Sequence, residues 1–365
     1  MPSELFLTGA TGFIGSGLLQ HWLETTDARL HLLIRPRRDQ DPQSRLEEAL
    51  ETLYPDGAPS DHLGRIEVLE GDLMLPDLGL NPAGYRRLSG SISHIIHCAA
   101  AARFDLDLDE ARRINVGGTE KILALARRCP KLEKLDYVGT AYVSGRRQGL
   151  IKEDQLDEGQ EHHNTYERSK MEAERLVRKH WSRLPITVFR PSIVIGEAST
   201  GRISPHSAFY RVLEMVRQGT LKALPGDPDA LMDLVPLDYC IRAMQIISRD
   251  GGSVGRCYHL TAGIDHLTSL GRIRDLTARH FGTEPFAILP GEQFDALMSR
   301  HQNGLSEEQQ QMANEIGLYR PYLAGLPRFD TAHTSTALQD SGIEVLPFDE
   351  YFPRMAAYLK SRAHA

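Results

Sequence analysis

The stretch 4–17 constrains the fold more than any other part of the sequence. A short apolar run at its start predicts a buried parallel strand, and an apolar-periodic helix follows it through Trp22. Between the strand and the helix stand three glycines at a spacing of three residues, Gly9, Gly12 and Gly15. A chain that begins in this way is expected to fold as an α/β protein that opens with a strand, a tight turn and a helix.

Each glycine has a separate role in binding a dinucleotide. Gly9 permits the tight turn, Gly12 lets the backbone approach a pyrophosphate, and Gly15 lets the helix pack close to the sheet. The N-terminus of the helix adds unpaired N–H groups and a partial positive charge, both of which favour phosphate. The strand before and the helix after the motif favour a dinucleotide site over a glycine-rich turn without a ligand. The candidate site also includes the residues between the glycines, Thr11, Phe13 and Ile14.

Composition bounds the class of protein. The chain has 365 residues with 41% hydrophobic content, enough for one large or two modest globular domains. Its net charge of −7 argues against nucleic acid or an anionic membrane as a partner. The four cysteines are scattered without a C-x-x-C pair, so we expect no metal site and a reduced, cytoplasmic setting. Because the first predicted strand begins so close to residue 1, we expect no signal peptide, and no apolar run approaches the roughly 18 residues that span a bilayer.

Strands and helices alternate up to about residue 196, beyond which the alternation loosens, and this pattern predicts a Rossmann-type, doubly wound parallel sheet. The predicted strands are 5–7, 30–34, 65–69, 92–98, 134–138, 186–189 and 257–261. Later residues are mostly helical, and one helix is predicted over 206–218. We therefore expect a dinucleotide-binding domain (1–195 plus about 231–263) and a smaller, mostly helical substrate domain (about 196–230 plus 264–365).

The residue after the second predicted strand usually selects between the two nicotinamide dinucleotides. An acidic residue there binds the 2′-hydroxyl of the adenosine ribose, whereas an arginine accommodates a 2′-phosphate. Arg35 occupies this position, and Arg37, Arg38 and Arg45 stand nearby. A solvated basic turn would give the same pattern. We prefer NADPH as the cofactor.

Two further strand ends carry candidate contacts to the cofactor. Asp72 follows the third strand and could accept the exocyclic amine of adenine, with Leu73 packed on the ring, although a turn-forming aspartate fits equally well. Ala99, Ala100 and Ala101 follow the fourth strand. Their small side chains leave space for a ribose and a nicotinamide, and close packing of a helix on the sheet is the alternative.

Tyr166 and Lys170 are four residues apart on a predicted helix, so both project from one face. An ammonium group one turn from a phenol favours the tyrosinate and lowers the tyrosine pKa, and it could also bind the ribose. Thr140, at the end of the fifth strand, could add a second donor to a substrate carbonyl. Together these residues would stabilise charge on oxygen during hydride transfer.

These motifs together resemble the extended short-chain dehydrogenase/reductase superfamily. The matching segments are 8–15, 71–73, 97–100, Thr140 and Tyr166–Lys170. Other segments resemble the branch that holds fatty acyl-CoA reductases and the thioester reductase domains of carboxylic acid reductases and synthetases. These are 33–46, 115–119, 139–142 and 190–196.

The resemblance implies a role for each matching residue. Thr140, Tyr166 and Lys170 would carry catalysis, Arg35 and Arg45 would hold the 2′-phosphate, and Asp72 and Leu73 would frame the adenine. The cofactor set extends to Asn115, Pro191, Ser192, Ile193 and Val194. Members of this branch reduce a CoA or phosphopantetheine thioester to an aldehyde, sometimes onward to an alcohol. The expected substrate is therefore an acyl thioester supplied in trans, on CoA or on a carrier protein.

One departure and three alternatives remain. Gly139 stands where the family often has serine, which leaves Thr140 as the hydroxyl at that strand end.

A nucleotide-sugar epimerase or dehydratase is disfavoured by Arg35 and by Arg190-Pro-Ser-Ile in place of an Arg-x-x-Asn-x-x-Gly-Pro pattern. A ketone or hydroxysteroid-type dehydrogenase shares the whole catalytic apparatus. A non-enzymatic dinucleotide sensor is disfavoured because Tyr166 and Lys170 are both present.

The polar segment 144–163 is predicted to be a surface loop near the site and a candidate lid. With the helix predicted over 206–218, it would form the walls of a channel through which a carrier arm reaches the site. Arg146 and Arg147 could contact an acidic carrier, and a solvated loop is the equally good alternative.

Overall fold

The structure is a computed structural model that describes residues 3–204, 208–301 and 316–362. Its centre is a seven-stranded sheet in which every neighbouring pair of strands is parallel. The strands are β1 (Glu4–Thr8), β2 (Arg29–Ile34), β3 (Ile66–Glu70), β4 (His94–His97), β5 (Lys134–Val138), β6 (Ile186–Pro191) and β7 (Arg256–Leu260). Their spatial order is β7-β6-β5-β4-β1-β2-β3. The predicted Rossmann-type fold is confirmed.

The order of the strands reverses between β1 and β4, which are neighbours in the sheet although β2 and β3 separate them in the chain. Open parallel sheets bind their ligands at such a switch point, outside the carboxyl ends of the strands. The fourth strand, predicted over 92–98, is limited to His94–His97. Its shorter length leaves the residues after His97 as a loop at this edge of the sheet.

Helices cover both faces of the sheet. The helices of the described residues are α1 (Phe13–Thr25), α2 (Pro42–Leu53), α3 (Ser60–Leu63), α4 (Pro82–Ser91), α5 (Leu108–Ala126), α6 (Thr165–Arg178), α7 (Ala208–Arg217), α8 (Leu237–Arg249), α9 (Leu270–Phe281), α10 (Gly291–His301), α11 (Ala332–Leu338) and α12 (Phe348–Arg362). Buried side chains of α1 and α8 form one hydrophobic cluster with the sheet, and those of α5 and α6 form another. Because both faces are covered, the strands are buried almost throughout, as parallel strands usually are.

Local capping signals in the sequence agree with these helix boundaries. Asp41 accepts hydrogen bonds from the backbone N–H groups of Gln43 and Ser44 at the start of α2. Asn81 and Asp107 cap α4 and α5 in the same way. Each cap satisfies donors that the first turn of a helix leaves unpaired.

A second set of elements lies beyond β6, mostly helical with short strand pairs. The pairs are Leu234–Val235 with Ile193–Val194, Leu231–Met232 with Thr268–Ser269, Ala223–Pro225 with Ala287–Leu289, and Leu150–Ile151 with Arg328–Phe329. Helices α7, α9 and α12 pack around separate hydrophobic clusters of their own. The helix predicted over 206–218 is observed as α7, and residues 206 and 207 lie outside the described residues.

The segment 144–163 lies at the surface as the sequence predicted, with about half of its residues exposed, but its middle is anchored to the rest of the protein. Leu150–Ile151 pairs with a strand near the C-terminal end, and Glu153 is 1% exposed. The carboxylate of Glu153 accepts hydrogen bonds from the backbone N–H of His259 at 2.8 Å and from the Thr334 hydroxyl at 2.8 Å. Because the buried carboxylate of Glu153 ties this middle part to the sheet and to the C-terminal residues, it does not move as a free lid.

Within the part of the chain that the structure describes, no helix combines the length and the apolar character that crossing a bilayer requires.

Candidate active site

The glycine turn shapes a groove of about 530 Å³ at the switch point of the sheet. Gly9 has a φ of 82°, which glycine adopts without strain. A Cβ on Gly15 would lie 1.9 Å from the carbonyl oxygen of Gly9, so helix α1 approaches the turn more closely than any side chain allows. Gly12 donates its N–H to the Gly9 carbonyl at 2.9 Å. All three glycines line the groove, together with Thr11, Phe13 and Ile14.

Three arginines lie at the other end of the groove, next to the carboxyl ends of β2 and β3. Arg35, Arg37 and Arg45 all line it, whereas Arg38 is exposed outside it. Arg45 donates to the backbone carbonyl of Arg35 at 2.5 Å and to the Thr11 hydroxyl at 2.8 Å. Arg45 therefore ties the turn after β2 to the glycine turn, and partial burial together with the neighbouring arginines lowers its pKa.

Asp72 and Leu73 line the same end of the groove. One carboxylate oxygen of Asp72 accepts the backbone N–H of Met74 at 2.8 Å, so this aspartate also forms a turn, the alternative that the sequence left open. The other oxygen lies 3.9 Å from the Arg35 guanidinium. Forming the turn and accepting the exocyclic amine of adenine are compatible roles for Asp72, because a carboxylate can accept several hydrogen bonds.

The alanines after β4 line the middle of the groove, and Asn115 holds them in place. The Asn115 side chain accepts from the Ala101 backbone N–H at 2.8 Å and donates to the Ala101 carbonyl at 3.2 Å. It also donates to the Ser169 hydroxyl at 2.9 Å. Asn115 is 3% exposed and does not line the groove itself. The structure thus places it behind the candidate cofactor residues Ala99, Ala100 and Ala101.

Tyr166 and Lys170 reach the groove from helix α6. The Lys170 Nζ donates to the backbone carbonyl of Val138 at 2.9 Å and lies 4.6 Å from the centre of the Tyr137 ring. The Thr140 side chain lies close to the Tyr166 phenol and favours its ionised form. The predicted trio of side chains therefore meets at the carboxyl end of β5.

The pKa values at this site differ from the sequence-based prediction. Burial raises the pKa of the Tyr166 phenol to about 12, and it lowers the pKa of the Lys170 ammonium to about 8. The expected lowering of the tyrosine pKa by Lys170 does not occur here, because desolvation of the phenolate is the largest effect and the ammonium is directed at Val138. At neutral pH Tyr166 keeps its proton and can donate it.

A second cavity of about 420 Å³ meets the groove at Tyr166. Thr140 lines this second cavity and not the groove. The structure also places Pro191, Ser192, Ile193 and Val194 here, although the sequence grouped them with the cofactor residues. Pro191 is the last residue of β6 and the other three follow it, and β6 is the neighbour of β5 in the sheet.

Most residues of the second cavity were missed in the sequence, because they come from elements far apart in the chain. Its side chains include Phe104, Tyr142, Phe209, Val212, Leu213, Val216, Leu224, Phe286, Ile316, Tyr319 and Tyr322. One local signal was available: apolar residues at 209, 212, 213 and 216 have the spacing of a helix that buries one face. Of the lining residues that the structure describes, none carries a formal charge.

A buried ion pair supports the helix that carries Tyr166. Arg190, at the end of β6, donates from two nitrogens to the Glu174 carboxylate of α6 at 2.7 and 2.9 Å, and both side chains are 0% exposed. Arg178 pairs with the same carboxylate at 2.8 Å. These arginines hold the pKa of Glu174 below its usual range despite burial.

The chain matches the family described as male sterility protein over residues 7–244. It is 30% identical over 275 residues to the fatty acyl-CoA reductase wat of Drosophila melanogaster, a match that covers 66% of this chain and 53% of that protein. It is 28% identical over 269 residues to a linear gramicidin synthase of Brevibacillus parabrevis, which covers 71% of this chain and 5% of that protein. The chain therefore spans about half the length, or less, of these curated relatives.

Among solved structures, the terminal R domain of the myxalamid PKS-NRPS biosynthetic pathway superposes with a TM-score of 0.85. That domain is 30% identical, and the match covers 100% of this chain and 91% of that one. A UDP-glucuronic acid 4-epimerase from Bacillus cereus superposes with a TM-score of 0.71 at 19% identity, over 98% of this chain and 99% of that one. The second likeness shows the shared fold.

Proposed function

The chain belongs to the NAD-binding family described as male sterility protein, and from that membership we propose that it is an NADPH-dependent reductase of acyl thioesters. The product is an aldehyde, and the substrate is carried on CoA or on a carrier protein that reaches the site in trans. We propose the same two-part division as above, with the dinucleotide bound by 1–195 and about 231–263 and the acyl group by the remainder.

The meeting of the two cavities at Tyr166 carries this proposal. A carbonyl placed beside Tyr166 and Thr140 would have the groove on one side and the uncharged cavity on the other. An acyl chain fits an uncharged, largely apolar cavity. The diphosphate of a nucleotide sugar is attached to the reacting ring and would lie in the cavity itself, where it calls for cationic partners, whereas the diphosphate of CoA is separated from the thioester by the whole pantetheine arm. The cavity therefore favours a thioester over a sugar nucleotide.

The residues of the groove fit a dinucleotide with a 2′-phosphate. A Cβ at Gly9 or Gly15 would fill the space next to the turn, so the glycines keep backbone N–H groups accessible to a pyrophosphate. Arg35 and Arg37 present guanidinium groups at the ribose end, and Arg45 holds their turn in place. This cluster of positive charge supports NADPH rather than NADH.

The dinucleotide, when bound, supplies the hydride. In the active site Tyr166 and Thr140 donate hydrogen bonds to the carbonyl oxygen of the thioester, where negative charge develops as the carbon is reduced. Tyr166 then gives its proton to that oxygen, since its raised pKa makes it a neutral donor at pH 7. The carbon–sulfur bond of the resulting hemithioacetal then breaks as its hydroxyl proton returns to the Tyr166 phenolate. The aldehyde is released, and the leaving thiolate takes a proton from solvent to give the free thiol.

A ketone reductase is the second candidate, because Thr140, Tyr166 and Lys170 would serve a ketone equally well. The stoichiometry of the reaction separates the two. Purified protein is incubated with NADPH and an acyl-CoA, and NADPH oxidation is followed together with free thiol by a disulfide dye. One thiol released per NADPH consumed supports reduction to the aldehyde, and one thiol per two NADPH supports reduction onward to an alcohol. NADPH oxidation on ketones with no thioester-dependent thiol release would contradict the proposal.

The route by which a carrier would reach the site is a separate part of the proposal. Arg147 donates to the Gln155 side chain at 2.9 Å, whereas Arg146 lies 4.0 Å from the exposed carboxylate of Glu161. Arg146 is therefore a better candidate than Arg147 for contacting an acidic carrier protein. If it serves this role, Arg146→Ala raises the KM for an acyl carrier protein and leaves the KM for the matching acyl-CoA unchanged.

A further inference from the structure

Tyr166 borders open space on two sides, because it lines both the groove and the second cavity. The Lys170 ammonium is directed at the backbone carbonyl of Val138 and not at the phenol. A general acid must lie within about 3 Å of the atom that it protonates, and a misplacement of about 1 Å can cost roughly 10²-fold in rate. The residues that pack against Tyr166 therefore decide how well it is oriented.

The Phe104 ring is one of these neighbours. Its centre lies 5.6 Å from the centre of the Tyr166 ring. Phe104 also stacks on the Tyr322 ring, with 5.4 Å between the ring centres and 28° between the ring planes. Tyr322 is 4% exposed, so its ring gives Phe104 a fixed surface to pack on. The Tyr322 ring thereby restricts the movement of Phe104 and, through it, of the Tyr166 ring.

The Tyr322 hydroxyl contacts the helix that carries Tyr166. It donates to the Glu167 carboxylate at 2.6 Å and accepts from the Asn164 side chain at 2.8 Å. Glu167 is the residue after Tyr166 and is 1% exposed. Asn164 is the capping residue of α6 and accepts the backbone N–H of Glu167 at 3.0 Å. Tyr322 thus holds the first turn of α6 at residues that lie before and after Tyr166 in the sequence.

The hydrogen bond between Tyr322 and Glu167 is buried, and its donor is defined. Burial and the neighbouring carboxylate raise the pKa of Tyr322, so the phenol keeps its proton and donates it to Glu167. The other carboxylate oxygen of Glu167 accepts the backbone N–H of His163 at 2.8 Å. Hydrogen bonds to a carboxylate are about twice as strong as those between neutral groups. The carboxylate therefore fixes the Tyr322 hydroxyl firmly on α6.

We propose that Tyr322 is a positioning residue for the proton donor Tyr166. Its ring acts on the Tyr166 ring through Phe104, and its hydroxyl acts on the Tyr166 backbone through Glu167. Tyr322 stands 155 positions after Glu167 in the sequence, so the C-terminal part of the chain completes the catalytic arrangement that β5 and α6 begin. This inference rests on the proposed role of Tyr166 as proton donor, and it applies equally to a thioester and to a ketone.

The test is a double-mutant cycle on kcat, measured with NADPH and saturating dodecanoyl-CoA. Tyr322→Phe keeps the ring and removes the hydroxyl, so we expect kcat to fall about tenfold while the Kd for NADPH stays within about twofold. Tyr322→Leu also removes the stacking on Phe104, so kcat should fall about 10²-fold. In a Tyr166→Phe background, neither substitution should lower kcat by more than about twofold, because no proton donor remains to be positioned.

Tyr351→Phe is the matched control. Tyr351 is also buried in the C-terminal part and donates its hydroxyl to the Leu234 carbonyl at 3.3 Å, but it lines neither the groove nor the second cavity. This variant also loses one phenol hydrogen bond, yet its kcat should stay within about twofold of the parent. The ratio of kcat in H₂O to kcat in D₂O is a second measurement. It should rise in Tyr322→Phe and not in Tyr351→Phe, because only a misplaced Tyr166 slows proton transfer.

The inference is overturned if Tyr322→Phe leaves kcat unchanged, or lowers it by the same factor with and without the Tyr166 hydroxyl. It is also overturned if Tyr351→Phe lowers kcat as far as Tyr322→Phe does. Absence of thiol release with every thioester overturns the proposed function instead. The cycle is then measured on a ketone that the protein reduces with NADPH, where we expect the same changes in kcat. A protein that reduces neither class of carbonyl would contradict both.

Discussion

Lys170 donates to the backbone carbonyl of Val138 at 2.9 Å, and Thr140, two residues after Val138, lies close to the Tyr166 phenol and favours its ionised form. The end of β5 thus contacts both members of the tyrosine–lysine pair. The lysine is held by the strand from one side and packs over the Tyr137 ring at 4.6 Å from the other. These two contacts fix the position of the Lys170 ammonium.

The pKa of Lys170 predicts the pH dependence of the reaction. Burial lowers this pKa to about 8, so the ammonium is present below pH 8 and is lost as the pH rises through that value. We expect kcat/KM to fall about tenfold per pH unit above pH 8, because the charge that favours the developing oxyanion disappears. Tyr166, with a pKa of about 12, does not titrate in this range.

Lys170→Arg tests whether the fall in kcat/KM above pH 8 is due to Lys170, because arginine stays protonated over the whole pH range of the assay. The descending limb should vanish from the pH profile of this variant even if its activity is lower. A limb that stays at the same pH would assign the titration to another group. Lys170→Ala should weaken NADPH binding as well as turnover, since we propose that Lys170 also contacts the ribose.

Tyr166→Phe removes only the proton donor. We expect kcat to fall by about 10² to 10⁴, the usual contribution of a general acid. The Kd for NADPH, measured by quenching of protein fluorescence, should stay within about twofold of the parent, which is less than about 0.5 kcal/mol of binding free energy. Full activity in the variant would exclude Tyr166 as the acid.

Arg35→Ala tests the choice of cofactor. A hydrogen bond to a charged group contributes about 1.5–3 kcal/mol, so the Kd for NADPH should rise at least about tenfold while that for NADH stays nearly constant. Arg38→Ala is the matched control, because Arg38 is exposed in the same turn and lies outside the groove. If Arg35→Ala weakened the binding of NADPH and of NADH equally, Arg35 would act on the fold of the turn and not on the 2′-phosphate.

The Arg190–Glu174 pair predicts a loss of stability. Arg190→Leu leaves a fully buried carboxylate with Arg178 as its remaining charged partner, so the free energy of unfolding should fall by about 3–5 kcal/mol in urea titrations. Arg168→Leu is the control, because Arg168 pairs with Glu172 at the surface and is 51% exposed. Its removal should cost less than about 1 kcal/mol. Similar losses in both variants would contradict the special cost of the buried pair.

The sequence predicted features that depend on neighbouring residues. The glycine turn, the capping residues Asp41 and Asn81, and the seven strands are all local patterns, and the structure has them. The helical spacing of Tyr166 and Lys170 likewise placed both side chains on one face of α6.

Features that depend on the tertiary fold were not predictable in this way. Leu224 and Phe286, which both line the second cavity, share a hydrophobic cluster although about sixty positions separate them in the sequence. Asn115 lies in helix α5 and accepts a hydrogen bond from the loop after β4. No local sequence pattern predicts this contact. The pKa of Tyr166 depends on burial, which sequence does not measure.

The carboxylate of Glu153 has a consequence for unfolding. It accepts hydrogen bonds from the backbone N–H of His259 in the central sheet and from the backbone N–H and hydroxyl of Thr334 in the first turn of α11. The Glu153 carboxylate therefore links the edge of the sheet to the C-terminal helices, so that detachment of one of them weakens the attachment of the other. Heat should melt the whole protein in a single cooperative calorimetric transition, and Glu153→Ala should split that transition into two.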